Sequence, residues 1–181
     1  MTMARMRIRP MPNAGTLALL GLLLVSCGDA TRVSARTELE LVQVVFEGLV
    51  GNRFETIAGV SPGMKHFQQM VDYVTAVDPD EGKLAAADLT ADFQKEQAEE
   101  IRKHFQDVRL ESGKVLNWQE ATLHTELGVR ELDDPFKMNR RDIFFTVVDG
   151  EKSFVFELDG CFLVGESWIC FDGVRFHGPS R

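Results

Sequence analysis

Apolar residues recur every three or four positions in three segments between residues 39 and 112, which is the spacing of amphipathic helices. The first segment begins at Leu39 and weakens near Gly51. The second follows Ser61-Pro62-Gly63, where an N-cap residue precedes a proline at the first helical position, and it stops at Asp78-Pro79-Asp80. The third opens at Asp88-Leu89-Thr90. The pattern therefore predicts three helices that precede any strand.

After Ser112-Gly113 the period of the apolar positions changes from 3.6 to 2, which is typical of strands with one buried face. The alternating apolar positions are Ala121, Leu123, Leu127 and Val129, then Ile143, Phe145 and Val147, then Phe154, Phe156, Leu158, Phe162 and Val164. We expect about four antiparallel strands in a meander. Gly160 interrupts the last run and is a candidate β-bulge.

Two short turns set the expected strand register. An Asp149-Gly150 turn would pair Phe145 with Phe154 and Ile143 with Phe156. A Gly165-Glu166 turn of the glycine-first type gives the pairs Val164 with Ser167, Leu163 with Trp168, Phe162 with Ile169 and Cys161 with Cys170.

The same alternation assigns the faces of the last hairpin. It places Ile169 and Phe171 on the face of Phe154, Phe156, Phe162 and Val164. The opposite face receives Cys161, Leu163, Trp168 and Cys170. A large aromatic face needs cover, so we predict an α+β fold in which three N-terminal helices pack on one face of a curled antiparallel sheet.

The first 26 residues have the layout of an export signal. Arg5, Arg7 and Arg9 stand before an apolar run over residues 15–25, and no acidic residue occurs among them. The run is about half of the roughly 20 residues that span a bilayer, so a retained transmembrane helix is the weaker interpretation.

Leu24-Val25-Ser26-Cys27 resembles the lipobox of bacterial lipoproteins at each of its four positions. The resemblance implies cleavage before Cys27, thioether lipidation of its sulfur, and acylation of the new N-terminus, for example with palmitate. The alternative is an ordinary secretory signal with an incidental cysteine. We therefore expect a signal peptide over residues 1–26, a lipidated tether over residues 27–38, and one domain over residues 39–181.

Charge excludes one class of partner. The 181 residues carry a net charge of −8, and removal of the signal with its three arginines takes the charge to −11. Binding of nucleic acid through phosphate neutralisation is therefore not expected. The partners expected instead are the membrane, through the lipid on Cys27, and an envelope protein or a small apolar ligand.

Cys161 and Cys170 remain once Cys27 is assigned to lipid. An exported protein with two cysteines that face each other across a hairpin favours a structural disulfide. Two free buried thiols, or a metal site with ligands from elsewhere, are the alternatives. The eight intervening residues do not form a C-x-x-C redox motif.

Three stretches of the domain are similar to the nuclear-transport-factor-two-like and cystatin-like cone folds, as found in bacterial envelope lipoproteins. They are residues 46–54 followed by Ser61-Pro62, residues 142–148, and the closing hairpin of residues 165–169. Helices precede all the strands here, whereas that group often places a helix between early strands. The resemblance implies a curled sheet with a concave side, and it transfers no catalytic residue.

His104 is the residue most suggestive of a pocket. It lies within the apolar arc of the third helix with Gln97 as a polar neighbour, and Tyr73 lies at the edge of the second helix. In a concave fold these three side chains would line a small-molecule pocket. The alternatives are a hydrogen-bonded boundary histidine and an exposed tyrosine.

Trp168 and Leu163 suggest a different site. On the sheet face opposite the core they would form an apolar docking surface, unless the chain's own residues 174–177 cover it. The four dispersed histidines give no metal-ligand spacing, and no nucleotide-binding or nucleophile motif is present. We thus expect no catalytic residue, no metal and no cofactor.

The leading hypothesis is a non-enzymatic binding or interaction module, held by lipid at the inner or outer membrane of a bacterial cell, with its domain in the periplasm or at the cell surface. The alternative is a small-molecule-binding protein or an enzyme that uses the interior of a cone-like fold.

Overall fold

The computed structural model of the chain describes residues 34–133 and 139–180. The signal segment and Cys27 lie outside these residues. Five helices come first: α1 (Glu38–Gly51), α2 (Phe54–Ala58), α3 (Met64–Val77), α4 (Pro79–Asp88) and α5 (Ala91–Ser112). Five strands follow: β1 (Thr122–Leu123), β2 (Gly128–Glu131), β3 (Arg140–Asp149), β4 (Lys152–Val164) and β5 (Ser167–Pro179).

The α+β class with helices packed on an antiparallel sheet is confirmed, with five described helices instead of three. The short α2 was not expected. The helix α4 was also missed, because Asp78 does more than end α3. Its carboxylate accepts the backbone N–H groups of Asp80 and Glu81, and Pro79 occupies the first helical position, so the same residues start a new helix.

The sheet has the strand order β1-β3-β4-β5, and β2 also pairs with β3. The predicted register of the β4–β5 hairpin is confirmed from Val164 opposite Ser167 to Cys161 opposite Cys170. The β3–β4 register is shifted by two residues from the expected one. Gly150 and Glu151 form the turn, so Phe145 lies opposite Phe156. Glycine takes the first turn position because the backbone there has φ +60°.

The face assignment of the last hairpin was wrong, because a β-bulge at Gly160 reverses the alternation of β4. Arg141 lies opposite Cys161 and Ile143 opposite Leu158, so β4 has one residue more than β3 in this stretch. Cys161 therefore joins the face of Leu158 and Phe156.

The main core lies between this sheet face and the helices α1 and α5. Its fully buried members include Leu41, Val42, Leu49, Phe145, Phe156 and Leu158, and Trp168, Cys161 and Cys170 belong to the same cluster. Phe162 and Ile169 are buried on the opposite face of the hairpin. There Phe67 of α3 makes an edge contact with Phe171, at 5.4 Å between ring centroids. The end of the hairpin is thus covered on both faces.

Residues just before α1 close the free edge of β5. The N–H of Trp168 donates to the carbonyl of Ala35 at 2.7 Å, and Ala35 is fully buried. The hydroxyls of Ser34 and Ser167 lie 2.8 Å apart. The carbonyl of Val60 accepts from the N–H of Cys170. Residues 34–36, which the sequence assigned to the tether, are therefore bound to the folded domain.

Cys161 and Cys170 are both free thiols in the structure, which differs from the expected disulfide. Each sulfur points to a backbone carbonyl, that of Leu158 for Cys161 and that of Gly173 for Cys170. The backbone position nevertheless suits a disulfide. Because the N–H of Cys170 donates away from β4, the two residues form a non-hydrogen-bonded pair, in which Cα atoms approach to about 4.5 Å.

We predict that the chain recovered from an oxidising compartment contains the Cys161–Cys170 bond and that reduction lowers its free energy of unfolding by about 2–3 kcal/mol, since the bond closes a short loop. Urea denaturation with and without reductant measures the difference. A Cys161→Ser/Cys170→Ser double variant serves as the control and should not respond to reductant. Two alkylatable thiols in unreduced, denatured protein would contradict the prediction.

Candidate functional site

A cleft of about 290 Å³ opens between α3 and the end of the β4–β5 hairpin. Gln69, Met70 and Tyr73 line its helical side. Phe162, Leu163, Val164 and Gly165 line the strand side, and Asn139 closes one end. Apolar walls with a few amide and hydroxyl groups are typical of a site for a small apolar group.

The packing of α3 explains why the cleft is there. Phe67, Val71 and Val74 form the buried stripe of this helix, so the neighbouring positions 70 and 73 face its edge. The bulge at Gly160 turns Phe162 to the side of α3, and Leu163, which packs on the main core, borders the opening. Gly165 adds no side chain to the opening.

A second feature is a network of charged side chains on the sheet face opposite the main core. Asp142 and Glu157 are almost fully buried, at 1% and 3% exposure. Arg130 donates to both carboxylates, at 3.0 Å to Glu157. On its other side Glu157 lies 2.7 Å from the Nε2 atom of His177, and Arg175 pairs with Asp159.

Asp142 also holds the bulge. Its Oδ1 atom accepts the backbone N–H of Gly160 at 3.0 Å, a donor that the irregular ladder leaves free. Burial acts to raise the pKa of Asp142, but this hydrogen bond and Arg130 outweigh it, so the pKa lies below its ordinary value.

Neighbouring acids have the opposite shift. Burial raises the pKa of Asp159, and Arg175 offsets this only in part. Burial likewise raises the pKa of Asp172, with Arg140 acting against it. The carboxyl groups of Asp142 and Asp159 interact directly. Of the two, Asp142 stays ionised and Asp159 takes up a proton first as the pH falls.

Carboxylate oxygens of Asp142, Glu157 and Asp159 lie within 4.8 Å of one another, a distance that suits metal ligands. Each of the three carboxylates already has a cationic side chain as its partner, however. In the structure these residues form an ion-pair network that stabilises the bulge.

The three residues expected to share a pocket do not line the same cleft. Tyr73 lines the cleft beside α3 and is 47% exposed. His104 is half-buried, and its Nδ1 atom lies 2.8 Å from the carbonyl oxygen of Asp172, so it is a hydrogen-bonded boundary residue. Gln97 is half-buried about two turns from His104 on α5.

Trp168 and Leu163 lie opposite each other as expected, but they pack on the main core instead of forming an exposed docking surface. Trp168 is only 6% exposed, because the reversed alternation turns it into the core and Ala35 covers the strand edge. Arg141 lies over its ring at 5.5 Å. Leu163 is half-buried against the same core and also borders the cleft.

The charged network was not predicted from the sequence. Its members occupy alternate positions of adjacent strands, with Glu157 opposite both Phe144 and Arg175. The signal was the polar residues Asp142, Glu157 and Arg175 within otherwise apolar strands. The expected β3–β4 register itself places Asp142 opposite Glu157, so this juxtaposition was a signal for the network.

The chain matches no protein-family model, no curated protein and no solved structure. The likeness to bacterial lipoproteins and to the cone folds therefore stays a prediction. Among the described residues, no helix combines the length and apolarity needed to cross a bilayer.

The opposite pKa shifts give a prediction for two conservative variants. Asp142→Asn should lower the free energy of unfolding at neutral pH by about 2 kcal/mol, because it removes a charged acceptor. Asp159→Asn should leave it unchanged or raise it, because the ionised form of Asp159 is disfavoured by burial.

The pH dependence follows from linkage. The contribution of Asp142 is complete above its ordinary pKa of 3.8 and is lost as the pH falls through the lower folded-state pKa. The raised pKa of Asp159 has the opposite effect, since the folded chain then binds more protons. Urea denaturation at neutral and acidic pH measures both effects. Equal losses in the two variants at neutral pH would contradict this account.

Proposed function

We propose that this protein is a lipid-anchored cell-envelope protein that acts as a non-enzymatic binding module and holds an apolar group in the cleft beside α3. The observation that carries the proposal is the composition of that cleft. Its walls include Met70, Phe162, Leu163 and Val164, and its polar contacts are neutral side chains such as Gln69.

The chemistry of the cleft supports binding over reaction. General acid–base catalysis needs a titratable group at the reacting atom, and nucleophilic catalysis needs an activated nucleophile. Among the described lining residues, the polar side chains are the amides of Gln69 and Asn139 and the phenol of Tyr73. These groups orient a ligand through hydrogen bonds.

The membrane anchor in this proposal rests on the lipobox-like Leu24-Val25-Ser26-Cys27. A lipid-anchored protein meets apolar molecules at high local concentration at the membrane surface. An apolar group of a membrane-derived molecule, or an apolar side chain of an envelope protein, has the size and polarity to enter the cleft.

Native mass spectrometry of the protein extracted from membranes tests both parts of the proposal. The protein mass should correspond to cleavage before Cys27 with lipid attached, and a bound apolar molecule should appear as an additional mass. In titrations with anilinonaphthalene sulfonate as probe, Met70→Gln should bind about tenfold more weakly, since it places a polar group in the apolar wall.

Leu110→Gln is the matched control. Leu110 is 67% exposed on α5 and does not line the cleft, so this variant should bind the probe like the unchanged chain. Equal binding by the Met70→Gln variant would refute the cleft as the site, and an unlipidated mature N-terminus would refute the anchor.

A further inference from the structure

The path of the chain into the domain is fixed at one end of the sheet. Ala35 is fully buried and bridges Trp168, and Ser34 lies within hydrogen-bond distance of Ser167. Ser167 is the first residue after the Gly165-Glu166 turn. Ser34, where the described residues begin, therefore lies next to this turn, which we call the near turn.

The distance from Ser34 to the lipid on Cys27 has an upper limit. Cys27 precedes Ser34 by seven residues, and seven residues span at most about 25 Å even when fully extended. The turn at the other end of β4, formed by Gly150 and Glu151 and called the far turn, is separated from the near turn by the whole of that strand. Thirteen residues of β-strand measure about 40 Å.

The two ends of β4 also differ in polarity. The far turn has three charged residues, Asp149, Glu151 and Lys152, whereas Glu166 is the charged residue of the near turn. At the near turn Val164 and Gly165 line the apolar cleft, whose rim includes the half-exposed Tyr73. Tyrosine is enriched where proteins meet the membrane interface, and a charged turn is better solvated in water.

We propose that the near turn and the cleft beside it are the membrane-facing surface of this protein, with the lipid bilayer as the partner and the far turn directed away. This orientation rests on the proposed function, because it needs the lipid on Cys27. It adds that the docked segment 34–36 determines which end of the domain meets the bilayer, so that the cleft receives its apolar group from the lipid side.

The two turns provide a matched pair of labelling sites. Both have a glycine with φ near +60° followed by an exposed glutamate, so a cysteine at either glutamate has the same local backbone. Glu166→Cys and Glu151→Cys are each expressed as the full chain in a lipidating bacterial host and labelled with an environment-sensitive fluorophore. The proteins are then reconstituted on vesicles of phosphatidylethanolamine and phosphatidylglycerol that carry a doxyl-labelled quencher lipid. The chain without an added cysteine shows that the buried Cys161 and Cys170 take up no label.

The proposal predicts quenching at the near turn at least about twofold stronger than at the far turn, given the separation along β4. Equal quenching, or stronger quenching at Glu151→Cys, would overturn it. Flotation of the same vesicles separates this outcome from failure of the anchor. If neither labelled protein floats with the vesicles, or if Cys27→Ala floats equally well, the proposed lipid anchor is wrong and the orientation is rejected with it.

Discussion

The arrangement of the β4–β5 hairpin depends on one hydrogen bond, from the backbone N–H of Gly160 to the buried carboxylate of Asp142. The bulge at Gly160 leaves this N–H without a partner in the ladder, and an unpaired buried donor costs about 1–3 kcal/mol. Asp142 accepts it from the adjacent strand and is itself neutralised by Arg130. Asp142 and Gly160 therefore fix the position at which β4 changes its inward-facing side.

This change of side has consequences on both faces of the sheet. Trp168 and Cys170 enter the main core, where the segment containing Ala35 covers the strand edge. On the other face Phe162 is buried on the side of α3, and Val164 lines the cleft beside it. The buried core, the docked N-terminal segment and the candidate ligand site are thus linked to the same backbone irregularity.

Local features of the sequence were sufficient for much of the fold. The helical spacing that begins at Leu39 and the glycine-first turn at Gly165 depend on neighbouring residues, and both are found where they were expected. The faces beyond Gly160 were not predictable in this way. A glycine within a strand permits a bulge without requiring one, and the partner that requires it, Asp142, comes from another strand.

The candidate site was less predictable, because it is built from long-range packing. Tyr73 and Leu163 were each singled out by the sequence, but for different sites, and only the packing of α3 beside the hairpin brings them to one cleft. His104 had the pattern of a pocket residue. Its hydrogen bond to the backbone of Asp172 depends on an irregular part of β5 that the helical periodicity of α5 does not reveal.

The exposure of Trp168 tests the reversed alternation most directly, because regular alternation places this side chain on the outer face of the sheet and the bulge places it in the core. Acrylamide quenching of a Trp118→Phe variant, in which Trp168 is the remaining tryptophan, measures that exposure in the folded chain. The account predicts weak quenching that rises sharply on unfolding in urea. Quenching as strong in the folded chain as in the unfolded one would contradict it.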